Sequence, residues 1–139
     1  DLENMAGEAL EKYRRKIVEQ FFPQRGFGKL KLAEARKAIR DYRKATGNIA
    51  GTMDLLLTYV ENGTEFTQQF GDVNEPYYSS LESALNELVG LLCGEGRESY
   101  SQFRDRLACV EQLASHIGWG YGDYVRDQVA MLENELAES

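Results

Sequence analysis

Apolar residues recur at threes and fours through most of the chain, and nowhere do they alternate as a half-buried strand requires. Leu2, Met5, Ala9, Tyr13, Ile17 and Phe21 predict a first helix over about residues 2–21. Pro23 closes it, because the residue before a proline is pushed out of the helical region. A glycine-containing basic loop then leads into a second helix over about residues 32–46, with Leu32, Ala35, Ala38, Ile39 and Tyr42 on its buried side. Gly47 is placed to end that helix and Asn48 to cap the next, which predicts a tight antiparallel hairpin.

The third helix, about residues 49–70, carries two apolar stripes. Ile49, Met53, Leu56 and Val60 form one, and Leu55, Tyr59, Phe66 and Phe70 the other, so it is expected at the centre of the fold. Asp54, Thr58, Glu61, Glu65 and Gln68 share the narrow polar strip that remains. Gly63 costs about 1 kcal/mol of helix propensity relative to alanine, which points to a close approach by another backbone. Asn74, Glu75 and Pro76 supply a cap, a first-turn acid and a first-turn proline for a fourth helix over about residues 75–93. Its core face is read as Tyr77, Leu81, Ala84, Leu88 and Leu91, and Gly94 and Gly96 end it. A fifth helix over about residues 97–117 follows from Tyr100, Phe103, Leu107, Val110, Ala114 and Ile117. The segment GWGYGD then precedes a last helix that runs to about residue 137 on Tyr121, Val125, Val129, Leu132 and Leu136.

The expected fold is all-α, one domain over residues 1–139, with about six helices in antiparallel pairs. Second with third and fourth with fifth repeat at roughly 45 residues, which suits either a helical bundle or a short HEAT-like α-α superhelix. The size and the 42% hydrophobic content suit a chain with its own core. No apolar run approaches the roughly 18 residues that span a bilayer, so no membrane association is expected. Cys93 and Cys109 form neither a C-x-x-C pair nor a zinc spacing, which fits reduced thiols and a cytoplasmic location.

Charge adds the main asymmetry. Residues 12–44 hold twelve Lys and Arg against three acids, inside a chain of net charge -7. Arg36, Arg40 and Arg43 form a stripe on the second helix, with Lys29 and Lys31 in the loop before it. Guanidinium groups at successive turns match a spaced row of anionic oxygens, so these five are the candidate anion-binding residues. The plainer reading is a solvated face, or one paired with the protein's own acids. The loop itself, RGFGKLKL, opens like the RNA-binding strand motif of the RRM fold. Lys29 stands where that motif needs an aromatic, and a chain without strands supplies no stacking sheet.

Glu61, Glu65, Asn62 and Asp72 are the candidate polar site, because clustered carboxylates bind hard cations or act as acid and base. No Glu-x-x-His partner and no calcium-loop spacing accompany them, so no metal, cofactor or catalytic residue is assigned. His116 is the only histidine, and Cys109 lies two turns before it, too far along one helix for a dyad. Trp119, Tyr121 and Tyr124 read as a hydrophobic corner between helices more readily than as a ligand wall.

The blocks FFPQRGFGKLKLAEARKAI, YVENGTEFTQQFGDVNEPYYSSLE and IGWGYGD together resemble an uncharacterised bacterial family defined only as a domain of unknown function. The likeness runs from about Tyr13 to Val125 and is most specific in the middle block. It implies a cytosolic, all-helical bacterial protein with further sequence ahead of the first helix, and it carries over no catalytic residue. The functional expectation is a non-enzymatic interaction module that meets a protein partner through the basic second helix or the acidic strip of the third. Nucleic-acid or phosphate binding through the basic 25–44 region is the alternative, and a carboxylate- or metal-dependent hydrolase the third. Edge helices of short arrays often associate, so a homodimer belongs among the expected partners.

Overall fold

A computed structural model describes residues 8, 10–13, 15, 32–70, 75–118 and 120–137; at 32–34, 69–70 and 75–77 it describes the backbone alone. Among these residues there is no strand. The described residues 8, 10–13 and 15 are helical and are called α1. Then follow α2 (Leu32–Thr46), α3 (Ile49–Phe70), α4 (Glu75–Cys93), a 3₁₀ turn (Arg97–Ser99), α5 (Tyr100–Ala114) and α6 (Tyr121–Ala137).

The α2–α3 junction forms as its residues dictate. Gly47 takes a left-handed φ of 63°, and its N–H bonds the Arg43 carbonyl at 2.9 Å, the glycine stop that a β-carbon would strain. The Asn48 side-chain oxygen accepts the Gly51 N–H at 3.0 Å, capping α3, while its amide donates to the Tyr42 hydroxyl at 3.0 Å. Gly51 leaves room for this knot, since a β-carbon there would collide with the Tyr42 hydroxyl and ring.

At the fifth helix the sequence and the structure differ at both ends. Residues 97–99 form a 3₁₀ turn, because Gly96 N–H reaches back to Leu91 O at 2.8 Å and Ser99 N–H to Gly96 O at 2.9 Å. At the other end, His116 N–H bonds Leu113 O and Ile117 N–H bonds Ala114 O. These three-residue steps tighten and stop the helix after Ala114. Ile117 still packs against the core, so the apolar period overruns the helix.

The packing of helices decides the architecture. α3 lies against α2, α4 and α5, and α6 lies against α4 and α5. Two antiparallel hairpins, α3/α4 and α5/α6, therefore stack side by side as a four-helix bundle, with α2 added outside on α3. The expected pairing of the fourth helix with the fifth does not occur: α4 and α5 sit on a diagonal of the ring. Short links hold the ends of this arrangement. Arg97 bonds the Cys93 carbonyl at the end of α4 through Nε at 2.9 Å, and the Glu135 carbonyl near the end of α6 through Nη2 at 3.1 Å.

The centrality expected of α3 is confirmed. From Gly51 to Val60 every residue except Asp54 is buried. Thr52, Thr58, Thr64 and Thr67 are buried too, and each hydroxyl bonds the carbonyl four residues back, so the helix takes polar groups inside without orphaning them. On α4 the core face is Tyr78, Leu81, Ala84, Leu85, Leu88, Val89 and Leu92, with Leu91 at its edge. The side chain of Tyr77, expected in that face, lies outside the described residues. Phe103, Leu107, Val110 and Ala114 of α5 and Tyr121, Val125, Val129 and Leu132 of α6 complete the core.

Candidate functional site

The polar strip of α3 divides in two. Its first half, Asp54, Thr58 and Glu61, enters the α3–α5 seam and is gathered by one residue, Arg106 of α5. Arg106 Nε donates to Glu61 Oε2 at 3.1 Å, Nη2 donates to Glu61 Oε1 and to Thr58 Oγ1, and Nη1 reaches Asp54 Oδ2 at 3.4 Å. The side chains are only 33% (Arg106), 18% (Asp54) and 25% (Glu61) exposed. Burial alone would lower the guanidinium pKa, but the Glu61 and Asp54 carboxylates outweigh it and push it up, so Arg106 stays a cation. Both carboxylate oxygens of Glu61 are taken up by the guanidinium and are not offered to a metal ion. Glu61 is thus a structural partner.

The other candidate polar residues do not join it. The Asn62 amide donates to the Thr58 carbonyl at 2.8 Å along its own helix. Glu65 is exposed. Asp72 lies outside the described residues. Among the described residues no group of three His, Cys, Asp or Glu side chains is placed to hold a metal ion. His116 and Cys109 are both exposed on α5 or just beyond it.

Arg106 itself escapes a reading by stripe. It falls about 60° from Phe103 at 100° per residue, on the flank of the apolar face. That flank position, beside an acidic strip of matching length on α3, is the only sign of the ion pair the sequence carries.

Tyrosines form a second polar group where α3, α4 and α6 meet. The Tyr59 hydroxyl lies 2.7 Å from Ser80 Oγ, and the Tyr121 hydroxyl 2.8 Å from Thr64 Oγ1. The Tyr78 and Tyr121 rings are 6.1 Å apart, and Tyr124 donates to the Glu82 carbonyl at 3.2 Å. Burial pushes the phenols of Tyr59, Tyr121 and Tyr124 up, away from the ionised form a nucleophile or base would need. Tyr121 and Tyr124 thus act as the expected corner; Trp119 lies outside the described residues.

The basic stripe is also redistributed. Arg36 Nη2 bonds Glu87 Oε2 of α4 at 3.1 Å, while its Nη1 is buried without a hydrogen-bond partner among the described residues. Arg43 stands 4.0 Å from Glu95, a loose surface pair. Arg40 is exposed, and Lys37 and Lys44, which the stripe left out, are exposed beside it. Lys37, Arg40, Arg43 and Lys44 fall within about 120° of arc on α2. Lys29 and Lys31 lie outside the described residues.

A cleft of about 650 Å³ opens between the end of α5 and the start of α6, lined by Gln112, Ser115, Asp123 and Arg126 among others. Arg126 pairs with Asp123 across one turn, which occupies the cation there. At its base the two helices touch closely: a β-carbon on Gly122 would strike the Ala114 carbonyl.

No helix among the described residues is long and apolar enough to cross a membrane. Comparisons with protein-family models, with curated proteins and with solved structures find no match to this chain.

Proposed function

We propose that the chain is a non-enzymatic helical interaction module that presents the outer face of α2 to an acidic surface of a protein partner. One observation carries this reading: Lys37, Arg40 and Lys44 stand exposed on α2 with no hydrogen-bond or ion-pair partner among the described residues. Of the candidate polar site, Glu61 is held by Arg106 together with Asp54, while Glu65 is exposed. The free thiols Cys93 and Cys109 fit the reducing cytoplasm this reading assumes. Phosphate binding through the same cations is the rival. The chain's net charge of -7 works against a polyanion, whose field extends well beyond the patch.

Fluorescence anisotropy with a labelled polyglutamate peptide and a labelled oligonucleotide, at low and physiological salt, separates the two. Peptide binding that is lost in the triple variant Lys37→Glu, Arg40→Glu, Lys44→Glu supports the reading. Absence of peptide binding at low salt, or tighter binding of the oligonucleotide at both salts, overturns it.

A further inference from the structure

The side of α6 that faces away from the core offers a counterpart to α2. Asp123, Asp127, Met131 and Glu135 recur at a spacing of four and all are exposed, so they form one ridge along the helix. Its pattern is acid, acid, apolar, acid. Met131 is 44% exposed, and no other large hydrophobic side chain among the described residues is exposed. Asp123 is committed to Arg126, but the carboxylates of Asp127 and Glu135 have no ion-pair partner among the described residues. On α2, Arg40 and Lys44 stand one turn apart with Lys37 alongside and the exposed Ala45 next in line. Lys37 and Lys44, seven residues apart, are separated by about 10.5 Å along α2, close to the about 12 Å between Asp127 and Glu135 along the ridge, and Arg40 falls midway as Met131 does. The aliphatic stems of these cations give a methionine apolar surface to lie on.

One molecule cannot make this contact with itself. α2 packs outside on α3, whereas α6 lies across the ring from α3. The named residues of both faces are exposed at once. We propose that the partner of the α2 face is a second copy of this chain, its α6 ridge laid against α2, with Asp127 and Glu135 meeting Lys37 and Lys44 and the stem of Arg40 lying on Met131. This rests on the reading of α2 given above and names its partner. Repulsion between two chains of net charge -7 is screened beyond about 8 Å at physiological ionic strength, while contact pairs persist. At about 1 M salt the contact pairs weaken as well.

Sedimentation velocity of the full chain over a concentration series tests this at about 0.15 M and about 1 M salt. Two variants are compared, Lys37→Glu with Lys44→Glu, and Asp127→Lys with Glu135→Lys, each checked for unchanged helicity by circular dichroism. Wild type is expected to gain mass with concentration at the lower salt and to lose it at the higher. Each variant alone is expected to associate at least about tenfold more weakly. Their equimolar mixture should regain mass, because reversed α2 and reversed α6 are again complementary. A wild type that stays monomeric overturns the inference, as does association unchanged in both variants. If that monomer still binds polyglutamate, the second copy is excluded while the α2 reading stands; if it binds neither, both fall.

Discussion

Arg106 and Arg40 are the same residue type on amphipathic helices, with opposite fates. Arg106 sits on the flank of the apolar face of α5, in a seam where α3 brings Asp54, Thr58 and Glu61 against it. Arg40 stands exposed on α2. The contrast shows that a charge acquires a structural role only when burial removes the water that would otherwise solvate it. Outside, a charge costs little and remains available to a partner. Inside, it must be matched, and once matched it is unavailable for chemistry.

The sharpest way to break this contrast is Arg106→Met. It leaves two partly buried carboxylates side by side without a counter-charge, and urea denaturation should show a loss of about 2–3 kcal/mol. That is somewhat below the ~3–5 kcal/mol of a fully buried pair, because the seam retains some exposure. If Arg106→Met is neutral, the seam is solvated and the distinction between the two arginines fails. Gly51→Ala comes next. Its β-carbon would displace Tyr42 and the Asn48 cap, with an expected cost of about 1–3 kcal/mol and detachment of α2 from the bundle, read by hydrogen exchange along α2.

Titration offers a third, smaller test of inside against outside. The unfolded chain ionises its tyrosines near pH ~10, while Tyr59 and Tyr121 resist ionisation in the fold. Their contribution is fully present below pH ~10 and is lost as pH rises above it, at up to about 1.4 kcal/mol per pH unit for each phenol. Thermal melts between pH 8 and 11 should therefore show a fall beginning near pH ~10, shallower in Tyr121→Phe. A slope unchanged in that variant would place the loss elsewhere. The smallest effect belongs to Arg40→Met, expected to change stability by no more than about 0.5 kcal/mol while weakening polyglutamate binding.

The extent of α2, α3 and α4, the Gly47 stop and the Asn48 cap were all legible in the residues. They depend on neighbours within about one helical turn, and periodicity and capping report that range directly. The central place of α3 was legible too, since two apolar stripes on one helix require packing on two sides. The ends of α5 were less so, because Ile117 is apolar for reasons of packing and sits beyond the last helical turn.

What the residues could not state is which stripe meets which. A helical wheel gives the direction of an apolar face along its own axis and nothing about the helix opposite, so the diagonal placement of α4 and α5 belongs to the tertiary structure alone. The same holds for the polar strip of α3. As a pattern it read as one polar strip, with Glu61 and Glu65 in the candidate polar site. In the fold Thr58 is buried, Asp54 and Glu61 are bound to Arg106, and Glu65 and Gln68 remain outside. Local sequence fixes which residues want water. Only the arrival of another helix decides which of them lose it, because burial arises from contacts between segments about fifty residues apart.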